Sequence, residues 1–167
     1  DHSGNGFPNS EQGKNGLEFP FYKVSDINQN TMFVDRANNY VSAETVEKNK
    51  WNIVPKNSVI AAKIGEALRK NHRKISIKDC LIDNNCIGLE PKGIDYKFNF
   101  YFQSLIDFDW FVNPGAVPSL SVEKYKQFKV VVPKDVKKQT AIANYLDHKT
   151  AEIDQLIAQK KKLLELY

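Results

Sequence analysis

The sequence predicts a mixed α/β (α+β) fold, in which a twisted, largely antiparallel sheet is followed by one long C-terminal helix. Two observations carry this prediction. Strand-like and helix-like segments alternate irregularly up to Pro133, without the repeating βα units of a regular parallel sheet. Residues 139–167 then contain neither proline nor glycine, and their apolar residues recur at steps of three, four and seven, as on one face of a helix.

The length and composition fit one globular domain with an appendage. The chain has 167 residues, of which 41% are hydrophobic and 26% are charged. These are ordinary values for a globular protein, and a chain of this length is expected to form one core. We therefore predict a domain over residues 1–133 and a helical region over residues 134–167.

The predicted strands are short apolar segments bounded by turn residues. They cover residues 19–24, 58–64, 75–77, 86–89 and 128–132. Residues 1–16 are rich in glycine, asparagine and serine and predict a long loop. Residues 69–74 interrupt the apolar pattern and predict a second loop.

The predicted helices begin at residues that can cap a helix N-terminus. Ser42, Asp95 and Ser121 each precede a segment with helical spacing, and the helix after Asp95 is expected to reach Phe108. The last helix would begin at Val136 and extend for about 48 Å at 1.5 Å per residue. Because this exceeds the width of a domain of this size, part of the helix needs a partner outside the domain.

The apolar stripe on the last helix predicts assembly through helix pairing. The predicted pairing residues are Ile142, Leu146, Ile153, Leu156, Ile157, Leu163, Leu164 and Tyr167. A coiled-coil partner would cover them, whereas the alternative is a C-terminal helix packed on its own domain. Lysines at residues 160–162 favour antiparallel pairing of two copies, because parallel helices would place these like charges side by side.

The net charge of +4 is small, and the placement of the charges is more informative. Two segments concentrate basic residues, each against a single acidic residue. The first contains Lys63, Arg69, Lys70, Arg73, Lys74 and Lys78, and the second contains Lys124, Lys126, Lys129, Lys134, Lys137 and Lys138. Each segment fits either a solvated surface or a polyphosphate partner.

A dense group of aromatic residues lies between residues 98 and 111. Its members are Phe98, Phe100, Tyr101, Phe102, Phe108, Trp110 and Phe111. Their helical spacing assigns them to the core, and the alternative is a stacking platform for single-stranded bases.

The sequence offers little for metal binding or catalysis. Cys80 and Cys86 lack neighbouring histidines and a CxxC spacing, which predicts two buried free thiols rather than a zinc site. Asp83 and the Glu-Pro-Lys tripeptide at residues 90–92 loosely fit the carboxylates and lysine of a magnesium-dependent nuclease, although the proline would interrupt the strand. The chain has no glycine-rich cofactor turn, Walker loop, HExxH motif or apolar segment of membrane-spanning length.

The order of residues in the last helix and in three upstream segments matches a known family. The helix carries Gln139, Ile142, Ala143, Tyr145, Leu146, Asp147, Lys149, Ile153, Asp154, Leu156 and Ile157. Residues 20–27, 55–60 and 115–121 precede it. Together they resemble a target-recognition domain and a conserved helical region of type I restriction–modification specificity subunits. The chain departs from the family pattern at Lys138, where glutamate is usual, and at Val132, where a second proline is usual.

The resemblance implies a sequence-specific DNA-binding module without catalysis of its own. The chain would be half of a specificity subunit and would read one half of a bipartite target in duplex DNA. Its helical region would pair with the second specificity half, or with a second copy, and would dock methyltransferase and restriction subunits in the cytoplasm. S-adenosylmethionine, ATP and Mg²⁺ would be used by those partner subunits, with no cofactor on this chain and no membrane contact. The alternatives are a coiled-coil interaction module that binds no DNA and the magnesium-dependent nuclease.

The predicted DNA-contacting residues combine the first basic segment with a loop shaped by proline and glycine. Lysine and arginine would supply phosphate contacts, while asparagine, histidine, serine and arginine can also read base edges. The predicted residues are Lys63, Arg69, Lys70, Asn71, His72, Arg73, Lys74, Asn113, Ser119, Ser121 and Lys124. The N-terminal loop, with Asn5 and Asn9, is a third candidate.

Overall fold

The computed structural model describes residues 1–27 and 31–165, and it confirms a mixed α/β fold with a long C-terminal helix. The strands are β1 (His2–Ser3), β2 (Phe19–Tyr22), β3 (Phe33–Val34), β4 (Tyr40–Val41), β5 (Val59–Ala62), β6 (Arg73–Ser76), β7 (Leu81–Ile82), β8 (Cys86–Leu89), β9 (Val112–Asn113) and β10 (Ser119–Leu120). The α-helices are α1 (Val24–Ile27), α2 (Ala43–Lys48), α3 (Glu66–Arg69), α4 (Tyr96–Leu105), α5 (Val122–Gln127) and α6 (Val136–Leu164). Short 3₁₀ segments cover Asn9–Glu11 and Phe108–Phe111.

The central sheet has the strand order β1-β8-β5-β6-β3. β5 pairs antiparallel with both β6 and β8, and β3 joins β6 in parallel. A second sheet has the order β4-β2-β7, and β9 and β10 form a separate antiparallel pair. Antiparallel pairing predominates, as the sequence predicts.

The two faces of β5 support two different apolar clusters. Val59 and Ala61 pack in a cluster that includes Phe108, whereas Ile60 belongs to a cluster that includes Tyr22 and Cys80. Side chains alternate between the faces of a strand, so a strand whose every residue is apolar is suited to burial on both sides. This explains why β5 lies at the centre of the sheet.

Cys80 and Cys86 are buried free thiols, as predicted. Both belong to the cluster on the Ile60 side of β5. Burial raises the pKa of the Cys80 thiol to about 12, and it raises the pKa of the Cys86 thiol as well. Both side chains are therefore protonated at neutral pH and act as small apolar packing residues.

The predicted helix starts at residues 42 and 95 are confirmed, and the capping side chains provide the reason. The Ser42 hydroxyl accepts a hydrogen bond from the Thr45 amide at 3.2 Å. The Asp95 carboxylate accepts from the amides of Lys97 at 3.0 Å and Phe98 at 2.9 Å. These bonds satisfy amides that have no partner inside the helix.

Four segments differ from the sequence-based expectation. The N-terminal loop contains β1, which pairs with β8. Residues 69–74 contain the end of α3 and the start of β6 rather than one loop. α4 ends at Leu105, short of the predicted end, because Asp107 caps the following 3₁₀ segment. Residues 128–132 form no strand within the described residues, and all but the last of them are exposed.

The first turns of α6 are docked on the α/β part of the chain. Gln139 is only 1% exposed and Ala143 is equally buried. The Gln139 side chain accepts a hydrogen bond from the Asp95 amide at 2.8 Å and donates one to the Pro133 carbonyl at 2.7 Å. One buried amide group therefore joins the start of α4, the chain before α6 and α6 itself.

A second set of polar contacts lies two turns further along α6. The Asp147 carboxylate accepts hydrogen bonds from the Lys97 ammonium at 2.6 Å and from the Tyr101 hydroxyl at 2.7 Å. The bond to Asp147 raises the pKa of Lys97, so the ammonium stays charged at neutral pH. Beyond Thr150, which lies 3.4 Å from the Tyr101 hydroxyl, the large apolar residues of α6 are exposed. α6 is thus docked through its first half, and the rest of its 29 residues extend away.

We expect Gln139→Ala to destabilise the protein by about 1–3 kcal/mol, because it leaves the Asp95 amide and the Pro133 carbonyl without their partner in a buried site. Chemical denaturation would measure the change in the free energy of unfolding. Gln155→Ala, at an exposed position of the same helix, is the matched control and should change it by less than about 0.5 kcal/mol. Equal stability of the two variants would contradict the role of Gln139.

Candidate nucleic-acid interface

The turn between α3 and β6 presents basic side chains at the surface. Arg69 and Lys70 are exposed and His72 is half-buried. The Arg69 guanidinium makes two ion pairs, with Glu66 and with Asp109, each at 3.3 Å. These pairs are partly solvated and therefore weak. They orient the guanidinium, and breaking them to bind another group would cost little free energy.

Asn71 fixes the shape of this turn. Its backbone has φ +54°, a left-handed conformation that asparagine tolerates better than most residues. Its side chain donates to the Ile106 carbonyl at 3.3 Å and accepts from the Phe108 amide at 3.3 Å. Asn71 therefore binds the turn to the chain that follows α4.

Arg73 is predicted to contact DNA, and the structure corrects this assignment because its side chain is only 5% exposed. The guanidinium donates to the Asn71 side chain at 2.7 Å and to the Ile106 carbonyl at 3.2 Å, and it lies 3.7 Å from the centre of the Phe108 ring. Burial lowers the pKa of Arg73 to about 10, which leaves the side chain charged at neutral pH. Its Nε atom has no hydrogen-bond partner within the described residues.

Lys74 and Asn5 are also inside the protein, which corrects their assignment to a DNA-contacting surface. Lys74 lies in β6 between β5 and β3, and its ammonium donates to the Thr31 carbonyl, while burial lowers its pKa. Asn5 exchanges two hydrogen bonds with the backbone of Asn52, at 2.8 and 3.0 Å. Both side chains bond backbone groups of other segments, a use that a run of polar residues in the sequence does not reveal.

The β9–β10 pair brings three of the predicted residues together. Asn113 and Ser119 are directly opposite each other in this pair. Ser119 also forms a bridge with Ile64, and the Leu120 amide donates to the Lys63 carbonyl at 2.8 Å. Lys63, Asn113 and Ser119 therefore lie in one region, although fifty residues of the chain separate the first two.

α5 is attached to the same region. Ser121 caps α5 through a 3.4 Å hydrogen bond from the Lys124 amide, so its hydroxyl is already engaged. Tyr125 packs edge-on against Phe108 and Phe111, with ring centres 5.4 and 5.6 Å apart. These contacts hold α5 in place, and they leave Lys124 exposed.

The 3₁₀ segment Phe108–Phe111 is the part of this region that the sequence does not identify. The predicted core role is confirmed for Phe108, Phe111 and Phe98, which are buried, but it is wrong for Trp110, which is 62% exposed. The cause is the change from α- to 3₁₀-helix, which turns Trp110 outward while Phe108 and Phe111 stay buried. Asp107, which caps the segment at 3.0 Å, is the local signal of that change.

We call the exposed part of this region the candidate face. It comprises the α3–β6 turn, the β9–β10 pair and α5. The nine predicted residues other than Arg73 and Lys74 lie on or beside these elements, and their contact with DNA stays a prediction. They are Lys63, Arg69, Lys70, Asn71, His72, Asn113, Ser119, Ser121 and Lys124.

The geometry of the nuclease alternative is unfavourable. β8 lies between Asp83 and Glu90 and spans about 13 Å at 3.3 Å per residue, so the two carboxylates are at opposite ends of this strand. The Glu90 carboxylate is paired with His2 at 3.0 Å and with Lys92 at 3.3 Å. The hydrogen bond with His2 is the main cause that lowers the pKa of Glu90, and Lys92 adds to the effect. Among residues 1–27 and 31–165, no three histidine, cysteine or acidic side chains are grouped to hold a metal ion. None of the described helices is long and apolar enough to cross a membrane.

Comparison with known proteins identifies the family. The family model of the type I restriction modification DNA specificity domain matches residues 2–166. The chain therefore belongs to this family. No curated protein sequence matches the chain significantly.

Solved structures agree in fold. The HsdS subunit from Thermoanaerobacter tengcongensis is 12% identical with a TM-score of 0.59, and the alignment covers 93% of this chain and 36% of that one. For the type I restriction–modification S subunit from M. genitalium the identity is 16%, the TM-score is 0.55 and the coverages are 95% and 38%. A structure reported for the assembly and conformational transition of the type I R-M system has 14% identity, a TM-score of 0.69 and coverages of 92% and 36%. This chain thus spans little more than a third of the length of each.

Proposed function

We propose that this chain reads one half of a bipartite target in duplex DNA, as one half of a type I specificity subunit. The observation that carries the proposal is the family match over residues 2–166 together with basic, exposed elements that adjoin one another in the fold. The predicted division into a recognition domain over residues 1–133 and a helical region over residues 134–167 fits this role.

The candidate face offers two kinds of contact to DNA. Lys70 and Lys124 are exposed, and Lys63 is half-buried. Their ammonium groups are suited to contact phosphates, and this attraction does not depend on the DNA sequence. Arg69 and Asn113 are exposed and carry groups that can bond base edges in the major groove. Arg69 can exchange its exposed ion pair with Glu66 for a base at small cost, because such a pair contributes only about 0–1 kcal/mol.

The distal half of α6 supports the proposed assembly with a second specificity half or a second copy. Of the predicted pairing residues, Ile153 is 54% exposed and Ile157 is 47% exposed, as are the apolar residues that follow them at helical spacing. Ile142 and Leu146 lie in the half that is docked on the α/β part, and Tyr167 lies outside the described residues. Antiparallel pairing would separate the lysines at residues 160–162 of the two helices.

Catalysis is proposed to reside in partner subunits. Methyltransferase subunits that use S-adenosylmethionine and restriction subunits that use ATP and Mg²⁺ would be directed to the target by this chain in the cytoplasm. The separation of Asp83 from Glu90 supports this division, since two carboxylates that share a Mg²⁺ ion must lie close together. A coiled-coil module that binds no DNA is disfavoured by the family match, which extends across the α/β part.

Two substitutions on the candidate face should have different effects on DNA binding. Lys124→Ala should weaken binding to all sequences alike and lower the salt slope by about one unit, because it removes one phosphate contact. Arg69→Ala should cost roughly 1–3 kcal/mol on the preferred sequence and relax specificity at one position, if the guanidinium reads guanine. Binding to a randomised duplex library at two salt concentrations would measure both effects.

Lys48→Ala is the matched control for these substitutions, because Lys48 is an exposed lysine of α2, next to the second sheet. It should leave affinity and specificity unchanged. If Lys124→Ala and Arg69→Ala behaved like this control, the candidate face would not be the DNA-binding surface.

Replacing both Ile153 and Ile157 by aspartate should convert a dimer of the chain into a folded monomer, because the charges would enter the apolar stripe. Light scattering at micromolar concentration would give the oligomeric state, and circular dichroism would test folding. Aspartates at Gln155 and Gln159 are the matched control, with the same spacing and charge on another side of α6, and should leave the dimer intact. A monomeric unmodified chain would exclude self-pairing.

The purified chain should show no magnesium-dependent cleavage of duplex DNA. Glu90→Ala should therefore leave DNA binding unchanged and remove no activity, because Glu90 forms a structural pair with His2. A nicking assay on supercoiled plasmid with and without Mg²⁺ would test this. Reproducible nicking by the unmodified chain, abolished by Glu90→Ala, would support the nuclease alternative instead.

A further inference from the structure

We propose that Arg69 and Asp109 together read a G·C base pair, and that Asn71 and Arg73 are positioning residues that hold this pair in place. The proposal rests on the proposed function and deepens it. It adds to the candidate face the 3₁₀ segment Phe108–Phe111, and it replaces direct DNA contact by Asn71 and Arg73 with a positioning role.

The first observation is the pairing of Arg69 with Asp109. The Arg69 Nε atom lies 3.3 Å from a carboxylate oxygen of Asp109, and both side chains are about half exposed. A donor fork and an acceptor therefore lie side by side on the surface. In the major groove guanine presents the acceptors N7 and O6, and its partner cytosine presents an amino donor. The Arg69–Asp109 pair is chemically complementary to that pattern.

Asp109 would also exclude other base pairs. A carboxylate placed against the O4 atom of thymine or the O6 atom of guanine would meet an acceptor without a proton between them, which is unfavourable. An acid on a DNA-facing surface also weakens attraction to phosphates in general. Asp109 is therefore expected to reduce affinity for unrelated DNA and to raise the preference for the correct pair.

The second observation is the way in which the two elements are locked together. Asn71 bonds the chain on both sides of residue 107, through the Ile106 carbonyl and the Phe108 amide. Arg73 bonds Asn71 and the same carbonyl and stacks over the Phe108 ring. The turn that carries Arg69 and the segment that carries Asp109 are thereby fixed to each other, although 40 residues separate the two in sequence.

A purely stabilising role does not explain a buried arginine in this place. Its desolvation is costly, and its Nε atom is unsatisfied within the described residues, whereas apolar residues often stabilise such sites equally well. The guanidinium fixes the orientation of these groups relative to one another, because its planar fork contacts the Asn71 side chain, the Ile106 carbonyl and the Phe108 ring at set angles. In the same segment the ring of Trp110 packs edge-on against Phe128, with ring centres 6.1 Å apart. The exposed Trp110 side chain is then a second, apolar contact next to Asp109.

The contacts of Asn71 and Arg73 that join the α3–β6 turn to the 3₁₀ segment form what we call the lock. Asn71→Gly tests it, with Asn57→Gly as the matched control. Both positions have left-handed φ values, +54° and +69°, which glycine adopts without strain, so the backbone is preserved in each variant. Asn57 lies at the opposite end of the β5–β6 pair, where its amide donates to the Ser76 carbonyl. Only Asn71→Gly removes the side chain that connects the two reading elements.

The 167-residue chain would first be used to select its preferred sequence from a duplex library with a randomised segment. The affinities of each variant for the selected duplex and for a scrambled duplex would then be compared. Asn71→Gly should lower the ratio of these affinities about tenfold and change binding to the scrambled duplex less than twofold. Asn71→Asp, which keeps the acceptor for Arg73 and the Phe108 amide, should give an intermediate ratio. Asn57→Gly should keep the original ratio.

Asp109→Asn tests the reading pair itself, because the substitution is exposed and nearly isosteric and should not affect folding. It should relax the preference for G·C at one position of the selected sequence and increase affinity for the scrambled duplex. A ratio for Asn71→Gly equal to that of Asn57→Gly would overturn the lock, and an unchanged preference with Asp109→Asn would overturn the reading pair. A chain that binds selected and scrambled duplexes alike would instead refute the proposed function.

Discussion

Burial of β5 on both faces is the constraint on which the rest of the structure depends. Val59 and Ala61 face one cluster and Ile60 faces the other, so a shift of one residue in register would exchange the two sets. The fixed register determines where the strand ends, and its carboxyl end delivers Lys63 and α3 to the candidate face. The backbone bond from Leu120 to Lys63 then places the β9–β10 pair beside them.

Two buried polar side chains set geometry where apolar packing alone would leave it less defined. Arg73 connects the α3–β6 turn to the 3₁₀ segment, and Gln139 connects α4 to the start of α6. Each bonds backbone groups from elements that are distant in sequence. Such contacts fix angles more strictly than apolar contacts do, because hydrogen bonds are directional. In the proposed DNA-reading role the first junction would orient Arg69 and Asp109, while the second fixes the direction in which the long helix leaves the domain.

The long helix changes character along its length. Its first half presents Gln139 and Asp147 to α4, and its second half presents Ile153 and Ile157 to solvent on a continuing apolar stripe. The start of the helix therefore packs on its own domain, whereas pairing of the exposed remainder with a partner helix stays a prediction. A helix that is fixed by hydrogen bonds at one end and exposes an apolar stripe at the other is suited to hold a partner at a fixed distance.

The features that local chemistry specifies could be predicted from the sequence. The capping residues Ser42 and Asp95, the apolar run of β5, the buried thiols and the helix after Pro133 all follow from short-range patterns, and the family resemblance rests on such patterns. The burial of Arg73 and the exposure of Trp110, by contrast, depend on the folded arrangement of the whole chain. Whether a charged side chain enters the interior depends on carbonyl groups and rings supplied by distant residues, here Ile106 and Phe108. Those partners come together only when the chain has folded, so no local pattern encodes them.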